Sequence, residues 1–260
     1  HDPGVCSRFQ SAEVLWLLGY PDHALRRSQN SLTLARELSH AITMSVALFW
    51  TAWFDQVRGE KQSLQARIHE GVALATEQGF LMGRVQATFL QGWLLVEEGH
   101  AKTGIEQMFE IFVTEPAMAS PGSLRFHIRQ AALLGDAYRK SGQTVDGLNV
   151  VNDAIDRTQL SECRCYEAEL HRIKGELLIT EPVPSEEQAE SCFREAIKVA
   201  RGQSAKSLEL RAAMSLCRLW QRQGKTAEAQ QLLGDIYGWF TEGFETADLK
   251  AAKALLNELT

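Results

Sequence analysis

The sequence predicts an all-α chain, a right-handed α-superhelix (solenoid) of about six helix pairs with a C-terminal capping helix. Three observations lead there. Stretches rich in Leu, Ala, Glu, Gln, Arg and Lys, all helix formers, are broken by only six prolines in 260 residues. Short glycine-centred turns return about every forty residues. A small residue also stands at a fixed offset before each turn.

The turns are "LLGYPDHAL", "VRGEKQSLQ", "EEGHAKTGI", "KSGQTVDGL" and "RQGKTAEAQ", centred on Gly19, Gly59, Gly99, Gly142 and Gly224, with Pro182 filling the gap in the series. A glycine just past a helix end suits the left-handed position that stops a helix cheaply. Before the turns stand Ala12, Ala52, Gly92, Gly135, Gly175 and Cys217. Glycine inside a helix costs about 1 kcal/mol relative to alanine, so its return there requires a packing reason, the close approach of a partner helix. After the turns come Ala24, Leu64, Gly104, Gly147 and Ala229, with Ala189 displaced.

This register sets the elements. First helices are expected at roughly 5–18, 40–57, 80–98, 123–141, 165–179 and 204–223. Second helices are expected at roughly 22–38, 60–78, 101–114, 144–159, 185–202 and 226–240. Residues 1–260 then form a single domain of repeats at about 5–38, 40–78, 80–114, 123–159, 165–202 and 204–240. A helix over 246–259, N-capped by Thr246, places Leu249, Ala252, Leu256 and Leu259 on one side and Lys250, Lys253 and Asn257 on the other. It closes the last apolar face. No comparable cap precedes the first pair, so apolar surface is expected to be exposed around Val5, Phe9 and Leu15, against a preceding domain or a second copy. Two connectors read as surface loops: "VTEPAMASPGS" (113–123) and "TEPVPSEE" (180–187), where Ser185 and Gln188 have capping-box spacing.

Gly175 with Leu178, followed by Ala189, Phe193 and Ala196, resembles the tetratricopeptide repeat, in a form longer than usual. The Trp and Pro of that pattern are mostly missing, Pro116 alone standing near such a place. The stretches "GYPDHALRRS", "YEAELHRIKGELL", "AKSLELRAAMSLCRLWQRQGK" and "YGWFTEGFETADLKAAKALL" resemble the C-terminal region of bacterial multidomain signal-transduction ATPases. The resemblance implies an ATPase module upstream and a nucleotidyl cyclase or winged-helix DNA-binding domain at the N-terminus. Neither a phosphate-loop motif nor a cyclase carboxylate motif is present, so this chain is expected to be the non-catalytic part of such a polypeptide, in the cytoplasm.

Composition excludes several roles. A net charge of −6 speaks against a nucleic-acid surface, which rests on clustered Lys and Arg. The longest apolar runs, "VLWLL" and "GWLLV", fall far short of the roughly 20 residues that span a bilayer. Five cysteines at irregular spacing read as reduced thiols. Cys163, Cys165 and His171 lack zinc-site spacing, and His69–Glu70 lacks a second His. No metal or cofactor is expected. Asp136 and Glu176 are conceivable as the carboxylate pair of an α/α-toroid hydrolase, but each has Arg or Lys at helical spacing.

The remaining function is binding. "FWTAWF" (49–54) puts aromatic rings on two faces of one helix. Phe49 and Trp53, and in the next repeat Phe89 and Trp93, are assigned to the concave groove, with Trp50 and Phe54 in the core; the alternative buries both pairs. The same columns continue as Arg129, Asp136 and Arg139, then Glu169, Arg172 and Glu176, then Arg211 and Arg218. An aromatic half followed by an arginine-rich half suits an amphipathic protein or peptide, with a small-molecule effector as a second candidate. The other readings are an oligomerisation scaffold, including a homodimer, and the toroid hydrolase.

Overall fold

The computed structural model describes residues 1–114, 121–161 and 163–260. Among them the chain is helical throughout and divides into two compact units, His1–Ile111 with Glu242–Ala247, and Phe112–Thr241 with Asp248–Thr260. The connector 113–123 lies mostly outside the described residues, as does Pro116.

The first unit contains α1 (Pro3–Leu17), α2 (Pro21–Leu38), α3 (Ala41–Arg58), α4 (Lys61–Gln78), α5 (Leu81–Glu97) and most of α6 (Ala101–Thr114). From α1 to α5 each helix packs on the next, and α3 also touches α1 and α5. The pairing follows from the turns. Gly19, Gly59 and Gly99 all have positive φ, where a side chain would be strained. Their backbones close the preceding helix, as where the Gly59 N–H reaches Gln56 O at 3.1 Å. Gly92 and Gly104 then let α5 and α6 meet: a Cβ on Gly92 would fall 2.8 Å from Gly104 O. That contact leaves no room for alanine.

The amino-terminal expectation is corrected. Val5 and Phe9 are buried because α1 lies against both α2 and α3, and Phe9 stacks on Trp50 with centroids 4.4 Å apart. Leu15 is half-buried. The Asp2 side chain caps α1 by accepting from Val5 N, and Asp2 N donates to Thr43 Oγ1. The segment 242–247 also belongs to this unit. Glu242 Oε1 accepts from Asp22 N (2.9 Å) and His23 N (3.0 Å), the open donors at the start of α2, and Gly243 N donates to Asp22 Oδ2.

The second unit contains α7 (Pro121–Lys140), α8 (Thr144–Leu160), α9 (Glu167–Thr180), α10 (Glu186–Gly202), α11 (Lys206–Arg222), α12 (Thr226–Tyr237) and α13 (Ala247–Glu258). Sequential helices again pack in pairs, and α9 also rests on α7 and α11, so the first helices of successive repeats form one layer. Gly175 is seated against the Phe193 ring, where an added Cβ would be 2.5 Å from Cε1. In the same column Cys217 donates its thiol to Ala229 O at 3.3 Å. Leu249, Ala252 and Leu255 of α13, with Leu259 just past its end, join the core around Leu216, Leu233 and Ile236, which accounts for a helix of capping type.

Two capping details differ from expectation. Ser185 precedes α10 but makes no side-chain cap hydrogen bond, so the capping box is not formed. Thr246 precedes α13, yet its hydroxyl donates backwards to Gly243 O, satisfying the turn instead.

Candidate functional site

The layer of first helices in the second unit carries the charged columns. On α9, Glu169, Arg172 and Glu176 are spaced three and four apart and share one face. Arg172 holds Glu169 in a two-pronged pair, Nε to Oε2 at 2.9 Å and Nη2 to Oε1 at 2.7 Å, and its Nη1 lies 3.7 Å from Glu176 Oε1. On α7, Asp136 is shared by Arg139 (2.8 Å) and Lys140 (2.9 Å). From α11, Ser215 Oγ donates to Glu176 Oε1 at 2.6 Å, and Arg211 reaches both Glu169 (3.9 Å) and Asp248 of α13 (2.8 Å). The result is a ladder of alternating charge across α7, α9, α11 and α13.

Its electrostatics are mutually reinforcing. Burial opposes ionisation of Asp136, but the charges of Lys140 and Arg139, then Arg172, outweigh it and hold the carboxyl below its ordinary range. Burial likewise opposes Glu169, and Arg172 and Arg211 overcome it. For Arg172 burial disfavours the cation, while Glu169, Glu176 and Asp136 raise its pKa further above that of a free guanidinium. A general acid needs the opposite shift, a raised carboxyl. Asp136 therefore fits a structural ion pair and not the acid of a glycosidase pair, and Glu176 is occupied by Ser215 and Arg172.

The sequence columns thus bring together Asp136, Arg139, Glu169, Arg172, Glu176 and Arg211. They miss Lys140, Ser215 and Asp248. Lys140 was legible as the i+4 partner of Asp136; Asp248 carries no local signal, since it meets Arg211 through the packing of α13. Arg129 is placed differently. It is buried, with its guanidinium 5.3 Å from the Tyr166 ring centroid, so it is not part of an open face. Arg218 is exposed on the same face of α11, one turn beyond Ser215.

The aromatic half of the expected groove is corrected in the first unit. Trp53 and Phe89 have no exposure and stack on each other at 5.8 Å, and Trp93 is also buried. Phe49 is half-buried, edge-on to Trp53 at 6.5 Å. The reason is crowding around α3, where every residue from Thr51 to Val57 is buried. Even Asp55 is enclosed there, accepting from Ser63 Oγ and Arg67 Nε. Trp53, Phe89 and Trp93 are core, Phe54 is core with them, and Phe49 is only partly covered.

Among the described residues, no group of three or more His, Cys, Asp or Glu side chains is placed to hold a metal ion, and no helix is long and apolar enough to cross a membrane. Among the described residues, Cys6, Cys192 and Cys217 carry free thiols.

Comparison with known proteins gives the same architecture. The family model of anaphase-promoting complex subunit 5 matches residues 6–58 and 179–223, well under half of the chain. A Rap protein solved in complex with Competence and Sporulation Factor matches with a TM-score of 0.68 and 14% identity, covering 99% of this chain and 71% of that one. The apo form of RapI matches with a TM-score of 0.59 and 12% identity, covering 98% and 70%. No curated protein matches in sequence. At such identity the likeness shows the fold: an all-α, tetratricopeptide-like helical repeat.

Proposed function

We propose that this chain is a non-catalytic interaction and regulatory domain that receives a protein or peptide segment along α7, α9 and α11 of the second unit. The observation that carries the reading is the ladder from Asp136 to Asp248. It sets fixed, ionised donors and acceptors along the first-helix layer, each side chain between about one eighth and one third exposed. Such groups are pre-ordered by their own pairs, so a polar segment laid over them meets an organised row of partners at little further entropic cost. The complex of a fold relative with Competence and Sporulation Factor supports a binding role for this architecture. The resemblance to signal-transduction ATPases extends the reading: occupancy would be relayed to an upstream ATPase and its cyclase or DNA-binding effector.

Selection of a displayed random-peptide library on the full chain, followed by hydrogen exchange with the selected peptides, tests this. Protection confined to α7, α9 and α11 is the expected result. Protection elsewhere, or no selected peptide at all, overturns it.

A further inference from the structure

The face of α11 that joins the ladder does not end with it. Arg211, Ser215, Arg218 and Arg222 stand on one side of this helix at three- and four-residue spacing. Arg211 and Ser215 are committed to Asp248, Glu169 and Glu176. Arg218 and Arg222 are exposed, and among the described residues neither has a carboxylate within ion-pair distance. Arg139, Lys140, Arg172 and Arg211 on the same layer each have one. Arg222 lies in the last turn, where a cation suits the carbonyl end of the helix; Arg218, a turn earlier, gains little from that.

We propose that Arg218 and Arg222 are the anchoring pair for an acidic peptide segment bound in extended form, with carboxylates on alternate residues. This rests on the reading of the first-helix layer as a partner-binding face. Four residues of helix advance about 6 Å. Alternate residues of an extended strand are separated by about 6.5–7 Å. Two side chains of an Asp/Glu-x-Asp/Glu sequence therefore meet two guanidinium groups one helical turn apart, each able to accept a pair of N–H bonds. The neutralised ladder beside them specifies register without adding net charge, and the two arginines supply the charge preference. Nucleic acid is a poor fit, because two cations in a chain of net charge −6 give little phosphate neutralisation.

The test uses three fluorescein-labelled dodecapeptides of alternating polar residue and Leu, with Glu, Gln or Lys as the polar residue, titrated against the full chain. The Glu probe is expected to bind about tenfold more tightly than the Gln probe. The Arg218→Glu/Arg222→Glu double variant, exposed at both positions and expected to stay folded with a melting point only slightly lowered by the acid at the carbonyl end of α11, should reverse the order and favour the Lys probe. Equal binding of Glu and Gln probes, or an unchanged order in the double variant, overturns the proposal. If library peptides protect α7, α9 and α11 but carry no acidic bias and are insensitive to the double substitution, the anchoring pair fails while the binding face stands. If no peptide binds anywhere on this layer, both fail.

Discussion

Trp53 lies flat against Phe89, the ring planes 20° apart and both side chains closed to solvent. The pair joins α3 to α5, the first helices of neighbouring repeats, so it is part of what holds the repeats in register. Trp53→Ala is expected to lower unfolding free energy by about 3–5 kcal/mol, through lost burial and the cavity left behind. Urea denaturation measures it. A loss below about 1 kcal/mol would mean that the site collapses or that the ring is not core.

Gly175 is the small partner of Phe193. Alanine there gains about 1 kcal/mol of helix propensity. It also forces the ring aside at an overpacking cost of about 1–3 kcal/mol. Net destabilisation of about 1 kcal/mol is expected for Gly175→Ala, and the Gly175→Ala/Phe193→Leu pair should be less than additive in thermal melts.

These two relationships differ in how far the sequence disclosed them. Gly175 and Phe193 sit in columns that recur at the turn spacing, and a helical glycine is informative because it is costly. Trp53 was legible as aromatic and helical, but not as buried. Periodicity assigns residues to a face, and α3 is covered on every face from Thr51 to Val57, so that stretch offers no free face to be inferred. The charged columns were legible for a local reason: Asp136 with Arg139 and Glu169 with Arg172 are partners on one helix. Arg129 carries no local sign of burial because its cover, Tyr166, comes from another repeat, and Asp248 gives no local sign of pairing because it reaches Arg211 of α11 from α13.

Arg172 is the hub of the ladder. Its removal leaves Glu169 without its two-pronged partner in a largely enclosed site. Arg172→Met is expected to cost about 3–5 kcal/mol, as measured for one-sided breaks of buried pairs. Adding Glu169→Leu should recover part of that loss, since it removes the orphaned charge. Denaturant midpoints of the single and double variants decide it.

Acid should weaken the fold in two stages. His127 of α7 is buried and stacked on Phe112 at 4.1 Å. Burial above all, helped by the charge of Arg157 and opposed by Asp153, lowers its pKa from 6.5 to about 4. Between those values the unfolded chain binds a proton that the folded chain does not, so stability falls as pH drops across that window. Below it, Asp136 and Glu169 contribute. Their folded pKa values are depressed, so their stabilisation is present above the ordinary carboxylate range and is lost as pH falls through the folded values. His127→Phe should flatten the first stage and leave the second. Denaturation midpoints at neutral pH, pH 5 and pH 3 separate them.

The start of α2 is finished by atoms supplied from residues more than two hundred positions further along the chain, Glu242 and Gly243. Sequence order is therefore a poor guide to where this chain can be trimmed. A truncation before residue 242, drawn up as though repeats were interchangeable cassettes, would strip the hydrogen-bond acceptor from a helix more than two hundred residues upstream and leave its first amides facing water.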